Sequence, residues 1–244
     1  MGMHVFYELR ARCGGLHEAE GLVRGLHAAA MNLPFDRVTH VRPVRTAPGG
    51  ADGTFAIEHI ELPHAGENKV RYLPFYPIEG LAFVVFPGEG CESASFGLAR
   101  YPRTVLDDET GSTHPTGFGD EFYWHSGCKT QYAFRVSPEH FLRCHLSLVD
   151  LLDRANALGV VERVSDEGGY WEGRSVDALL ARRQEHDEMV AAIVGPIIDA
   201  LSGAGGHIVA PITGDPRFEY LEAEGRRKLD QGRAGTKTAD AALE

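Results

Sequence analysis

A chain of 244 residues, 43% hydrophobic and 24% charged, has enough apolar side chains for one large core or two small ones. Neither a disulfide framework nor a structural metal is needed to hold such a chain folded. Its 24 Lys and Arg against 35 Asp and Glu give a formal net charge of −11, which argues against nucleic acid and anionic membrane surfaces as partners and favours neutral or cationic small molecules.

The chain reaches Glu8 and Arg10 before any long apolar run, a start without a signal-peptide pattern, so the expected compartment is the cytoplasm. The longest apolar stretch, 80–86, is far too short to cross a bilayer. Alternation of apolar and polar residues predicts a strand over 4–11, and Ala- and Leu-rich helical spacing predicts a helix over 16–31. Further strands are expected at 38–44, 55–62, 71–76, 80–86 and 95–101, with 46–53 as a connector and 107–120 as a surface loop. Another strand is expected at 129–136. Ser137, Pro138 and Glu139 then supply an N-cap, a proline at the first helical position and an acid in the first turn. The helix they start runs to Leu158 and stops at Gly159, with Phe141, His145, Leu148, Leu152 and Ala155 on one face.

A strand at 160–164 and a turn at 165–169 follow. Ser175 caps a second long helix to about residue 201, with Met189, Val190, Ile193, Ile197 and Leu201 as its buried stripe and a kink at Pro196. The expected architecture is α+β: residues 1–202 form one domain, a mostly antiparallel sheet with three main helices packed against it. Residues 203–244 are expected to be an extended tail with one short helix near 218–229.

The most chemically crowded stretch starts at Trp124 and His125 and runs through Cys128, Lys129, Gln131 and Tyr132. A thiol beside an ammonium and near an imidazole is the setting of a nucleophilic cysteine. His145, which interrupts an apolar helical face, is the candidate base. The bland alternative is that Cys128 and His145 simply pack the core. The same region offers a zinc reading: His125 and Cys128 near a strand, with His140 and Cys144 at i,i+4 spacing, are four ligand types in a short window.

Two acidic glycine-containing loops complete the candidates. Pro87 to Glu92 follows the most apolar strand but lacks both the dinucleotide and the phosphate-loop pattern, so only Glu92 is carried as a pocket wall. Asp166 and Glu172 stand beside Trp171 at a tight turn, where a carboxylate can act as a general base and an indole as a stacking surface. Ser126 and Ser147 sit in no Gly-x-Ser-x-Gly elbow, which sets aside the serine-hydrolase class.

The stretches 86–92, 128–133, 141–147 and 167–172 resemble segments of an uncharacterised family of bacterial hypothetical proteins. The resemblance covers roughly residues 3–200, implies that these segments belong to one recurring domain, and implies no activity.

The leading expectation is therefore a small-molecule hydrolase or group-transfer enzyme. Cys128 is the nucleophile, His145 the base, Lys129 the electrostatic partner, and Glu172 or Asp166 the proton carrier. Gln131, Tyr132, Trp171, Trp124 and Glu92 line the pocket. A non-enzymatic binding or regulatory module and a zinc protein are the alternatives.

Overall fold

The computed structural model describes residues 3–44, 58–63, 70–202 and 211–240. In chain order these form β1 (His4–Ala11), α1 (Leu16–Ala30), β2 (Arg37–Val38), β3 (Arg42–Pro43), β4 (Glu58–Pro63) and β5 (Val70–Phe75). Next come β6 (Glu79–Phe86), β7 (Ala94–Arg100), β8 (Thr104–Leu106), β9 (Thr113–Pro115) and β10 (Phe122–Lys129). The remainder is α2 (Pro138–Ala157), β11 (Val161–Asp166), α3 (Tyr170–Gly173), α4 (Val176–Ser202) and α5 (Phe218–Asp240), with 3-10 turns at Gln131–Arg135 and Pro211–Gly214. The class is α+β with a mostly antiparallel sheet, as the sequence patterns indicate.

Two compact units emerge, His4–Ser165 and Asp166–Glu244, the second including Met3. In the first, the sheet runs β11-β1-β10-β7-β6-β2, with β3 also on β6. Side chains alternate across a strand, so β1 sends Val5, Tyr7 and Leu9 to the inner face and Phe6 and Glu8 to the outer one. The antiparallel register Val5↔Cys128, Tyr7↔Ser126, Leu9↔Trp124 places the even residues of β10 on the same inner face. Tyr7 stacks on Phe96, Phe96 on Phe83, and Phe83 meets His27 of α1 edge-on. α1 closes this face with Ala19, Val23, Leu26 and Ala30. Two donors inside the core, the Tyr7 hydroxyl (2.8 Å) and the Trp124 indole (2.9 Å), converge on the Ser95 carbonyl, so burying them leaves no polar group unmatched.

The Ser137 cap is realised: its side chain accepts from the His140 amide at 3.0 Å, a contact that contributes about 1 kcal/mol in comparable helices. The expected inner stripe of α2 is buried throughout. Other expectations change. The strand placed at 129–136 lies earlier, at β10, because Thr130 onward turns into a 3-10 segment. The 38–44 strand is two short pairings to β6, and 107–120 carries half of the β8–β9 hairpin. That hairpin is tied to β5 by Asp107, whose carboxylate receives Arg71 from two nitrogens and Thr110 from its hydroxyl. The connector at 46–53 lies outside the described residues.

In the second unit, Asp166 ties its own turn by accepting from the Gly168 (2.8 Å) and Trp171 (2.9 Å) amides. α4 continues through Pro196 to Ser202. The region read as a tail includes the 23-residue helix α5, whose contacts with α4 run antiparallel: Lys228 bonds Glu188, and Glu222 lies against Gly195. Gly225 is required there, because the Glu188 carbonyl occupies the place of any Cβ. This packing reverses the expected stripe. Arg183, Asp187, Ala191 and Ala192 are buried, while Met189, Ile193 and Ile197 are each more than 40% exposed. No described helix is long and apolar enough to cross a membrane.

Candidate functional site

The crowded stretch falls on β10, and the strand divides it. Trp124, Ser126 and Cys128 face inward while Tyr123, His125 and Gly127 face outward. The two faces carry different chemistry.

On the outer face a groove of about 440 Å³ is bordered by Phe6, Glu8, Tyr123, His125, Glu58 and Arg163. His125 Nδ1 lies 2.7 Å from Glu58 Oε1. The Glu58 carboxylate at this distance is the main cause that raises the imidazole above its ordinary value, working against desolvation. It also leaves Nε2 as the ring nitrogen available to the groove. Burial pushes the Tyr123 hydroxyl up to about 12, with the charges of Glu8 and Glu58 adding to it, so this phenol stays protonated. Arg163 forms a long ion pair with Glu8 at 3.9 Å and its side chain remains largely solvated. Gly127 has no side chain, and the Phe6 ring lies over it with a carbon 2.7 Å from where a Cβ would stand. Phe6 is thereby an exposed apolar wall. Of this set only His125 was singled out from sequence; Glu58 lies far away in the chain. The alternation of residues 122–129 is the signal that separates Tyr123 and His125 from Cys128.

On the inner side, Cys128 is fully buried and its thiol donates to the Glu92 carbonyl at 3.1 Å. Burial is the main cause that pushes the thiol well above its ordinary value, and the charges of Glu92 and Cys144 act the same way. A sulfur so placed is protonated at neutral pH and lacks the exposed, electropositive setting of a nucleophile. His145 is also fully buried; its Nδ1 contacts the Thr130 hydroxyl at 3.0 Å and its ring lies by Phe141. Lys129 directs its ammonium over the Tyr132 ring at 5.1 Å, and Gln131 is buried in the 3-10 turn. Trp124 is a core residue bonded to Ser95, and Glu92 is exposed, accepting from the Lys129 amide. Asp166, Trp171 and Glu172 belong to the other compact unit: Asp166 is spent on its own turn, Trp171 is covered by Arg174 at 4.8 Å, and Glu172 is exposed.

The four residues of the zinc reading do not assemble, because His125 and Cys128 face opposite sides of one strand. Among the described residues, no group of three or more His, Cys, Asp or Glu is disposed to hold a metal ion.

A second cluster does form, around Cys144: its thiol donates to the Pro87 carbonyl at 3.4 Å, and His140 Nε2 lies 3.6 Å from the sulfur. The neighbouring Cys91 thiol is the main cause that holds Cys144 below the ordinary thiol value, with His140 and Arg143 assisting against burial and the Asp36 charge.

Comparison of the chain with protein-family models, with curated proteins and with solved structures finds no match in any of the three.

Proposed function

We propose that this protein is a small-molecule enzyme of the hydrolytic or group-transfer kind, acting in the cytoplasm, with His125 as its acid–base group. The observation that carries the reading is the His125–Glu58 pair, 2.7 Å apart at the edge of a 440 Å³ groove. A concave site with a few converging polar groups and a shifted imidazole is the default place for chemistry. Glu58 fixes the ring and stabilises its protonated form, so Nε2 delivers a proton to a leaving group and recovers it from the attacking water or acceptor. Arg163 receives an anionic portion of the substrate, and Phe6 and Tyr123 offer flat apolar surface.

The cysteine-centred version built on Cys128, His145 and Lys129 requires the thiol to leave the Glu92 carbonyl and open to solvent. The groove requires no such rearrangement. A binding module that uses the same groove without turnover is the alternative, and Phe6, 46% exposed, favours a ligand of some kind there.

The test is turnover of p-nitrophenyl acetate and p-nitrophenyl phosphate by the full chain, with His125→Asn and Glu58→Gln beside it. General acid–base catalysis predicts a loss of about 10²- to 10⁴-fold in His125→Asn. Equal turnover in wild type and His125→Asn removes the reaction from this groove. No turnover of either probe, with His125 resonances still moved by aromatic anions, leaves the binding module.

A further inference from the structure

The charges around the outer groove are unevenly matched, and their arrangement bears on what the groove holds. Glu8 of β1 stands opposite His125 of β10 in the strand register, so the two side chains are neighbours on this face. Glu58 approaches the same imidazole at 2.7 Å, so two carboxylates share one ring. Arg10, the next outward residue of β1, does not offset them, because Glu121 and Glu162 each engage it at 2.6 Å. Glu58 Oε1 is buried and, for all its closeness to His125, has no hydrogen-bond donor among the described residues. A buried acceptor in that state is stabilised by a ligand that brings an N–H.

Two further features complete the pattern. Glu8 and Arg163 are 3.9 Å apart, beyond hydrogen-bond length, so their pairing leaves both with hydrogen-bonding capacity. An ammonium that takes Glu8 also deprives Arg163 of its counterion, so the best-matched ligand carries an anion as well. Phe6, the preceding outward residue of β1, is 46% exposed, and its ring rests over Gly127 and stacks on His4 at 4.9 Å. A ring held in this way is a ready surface for a flat apolar group. All of these residues belong to one compact unit.

We infer that the groove takes a zwitterionic small molecule of the α-amino acid kind, with its ammonium between Glu8 and Glu58, its carboxylate on Arg163 and a flat apolar side chain against Phe6. The inference rests on reading the groove as the functional site, and it adds the class of substrate. The ammonium supplies the donor that Glu58 Oε1 lacks, and the carboxylate takes the place of Glu8 at the guanidinium. A plain anion meets two carboxylates, and a plain cation leaves Arg163 unmatched. A groove of about 440 Å³ is large enough for such a molecule. The ammonium also acts on the proposed acid, because a positive charge beside His125 makes its proton easier to release.

The experiment titrates the full chain at neutral pH with L-phenylalanine, with its amide (ammonium only) and with 3-phenylpropanoate (carboxylate only), following the His125 ring resonances. L-Phenylalanine is expected to bind at least about tenfold more tightly than either analogue, as the loss of one hydrogen-bonded charge requires. Bound in the stated orientation, it lowers the titration midpoint of His125; bound the other way round, it raises it. Glu8→Gln should remove the preference over 3-phenylpropanoate, and Arg163→Gln the preference over the amide. Either analogue matching L-phenylalanine in the wild type overturns the inference, and so does a raised midpoint or no response to L-phenylalanine. The wild-type ranking decides even where a variant fails to fold. Turnover that needs His125, with 3-phenylpropanoate preferred, ends this inference and keeps the catalytic reading. The expected ranking, with equal turnover in His125→Asn, does the reverse.

Discussion

His125 and Cys128, three positions apart on one strand, point to opposite faces of the sheet. A segment that looks like a single site in sequence is therefore divided between an open groove and the inner core, and each half is tested separately.

The His125–Glu58 pair makes stability depend on pH. Because the folded-state pKa of His125 is raised, its contribution is fully present below the unfolded value near 6.5 and disappears as pH rises through the folded value. The imidazole is half-exposed, so the contribution stays below about 1 kcal/mol. Urea melts of wild type and His125→Asn should differ at pH 5.5 and converge by pH 8.5; a constant difference contradicts the pairing.

Asp107 has the opposite sign. Its bond from Arg71, aided by Thr110, holds the carboxyl well below the usual carboxylate range, so its stabilisation is present above the unfolded pKa and is lost as pH falls through the folded one. Asp107→Asn should lower the melting temperature at neutral pH and lose that deficit in strong acid. Melting curves across pH 2–7 check it, and an unchanged neutral melting temperature rejects the tie between β5 and the β8–β9 hairpin.

Burial of Cys128 predicts slow labelling. In the native protein, Cys128 should resist iodoacetamide at neutral pH and react only after denaturant is added, while partly exposed Cys13, although burial and Glu18 raise its thiol, reacts before denaturant is added. Peptide mapping distinguishes the thiols. Rapid native labelling of Cys128 would restore the nucleophile reading made from sequence.

Buried Arg183 and Asp187 form an i,i+4 pair in the second unit. Removing one partner leaves the other charged in a low dielectric, so Asp187→Ala should destabilise by about 3–5 kcal/mol. The same change at exposed Glu185 should cost under about 0.5 kcal/mol. Equal effects in chemical denaturation would mean that the pair carries no weight.

What the sequence made legible follows its periodicities. β1 and α2 were readable because alternation and the Ser137–Pro138 cap are local signals. β10 was displaced because Trp124, Ser126 and Cys128 form its inner face, and polar residues there blur the period of two. α4 was inverted for a physical reason: α5 packs against Glu188, Ala192 and Gly195, where its backbone can come close, so small and paired polar residues are buried and Ile193 and Ile197 are not. Glu58 beside His125 and Cys91 beside Cys144 are products of topology, and no spacing along the chain announces them.

The margin of the sheet at β6 has a consequence for association. On the side of β6 away from β7, Arg37–Val38 and Arg42–Pro43 are the strand segments that pair with it among the described residues, and between them Val84 donates its amide to the Thr39 hydroxyl. Pro43 has no amide hydrogen to offer outward, and the break between the two short strands denies a neighbouring chain an uninterrupted ladder. This side of the molecule is thereby protected from edge-to-edge aggregation by irregular backbone, without needing a helix to cover it.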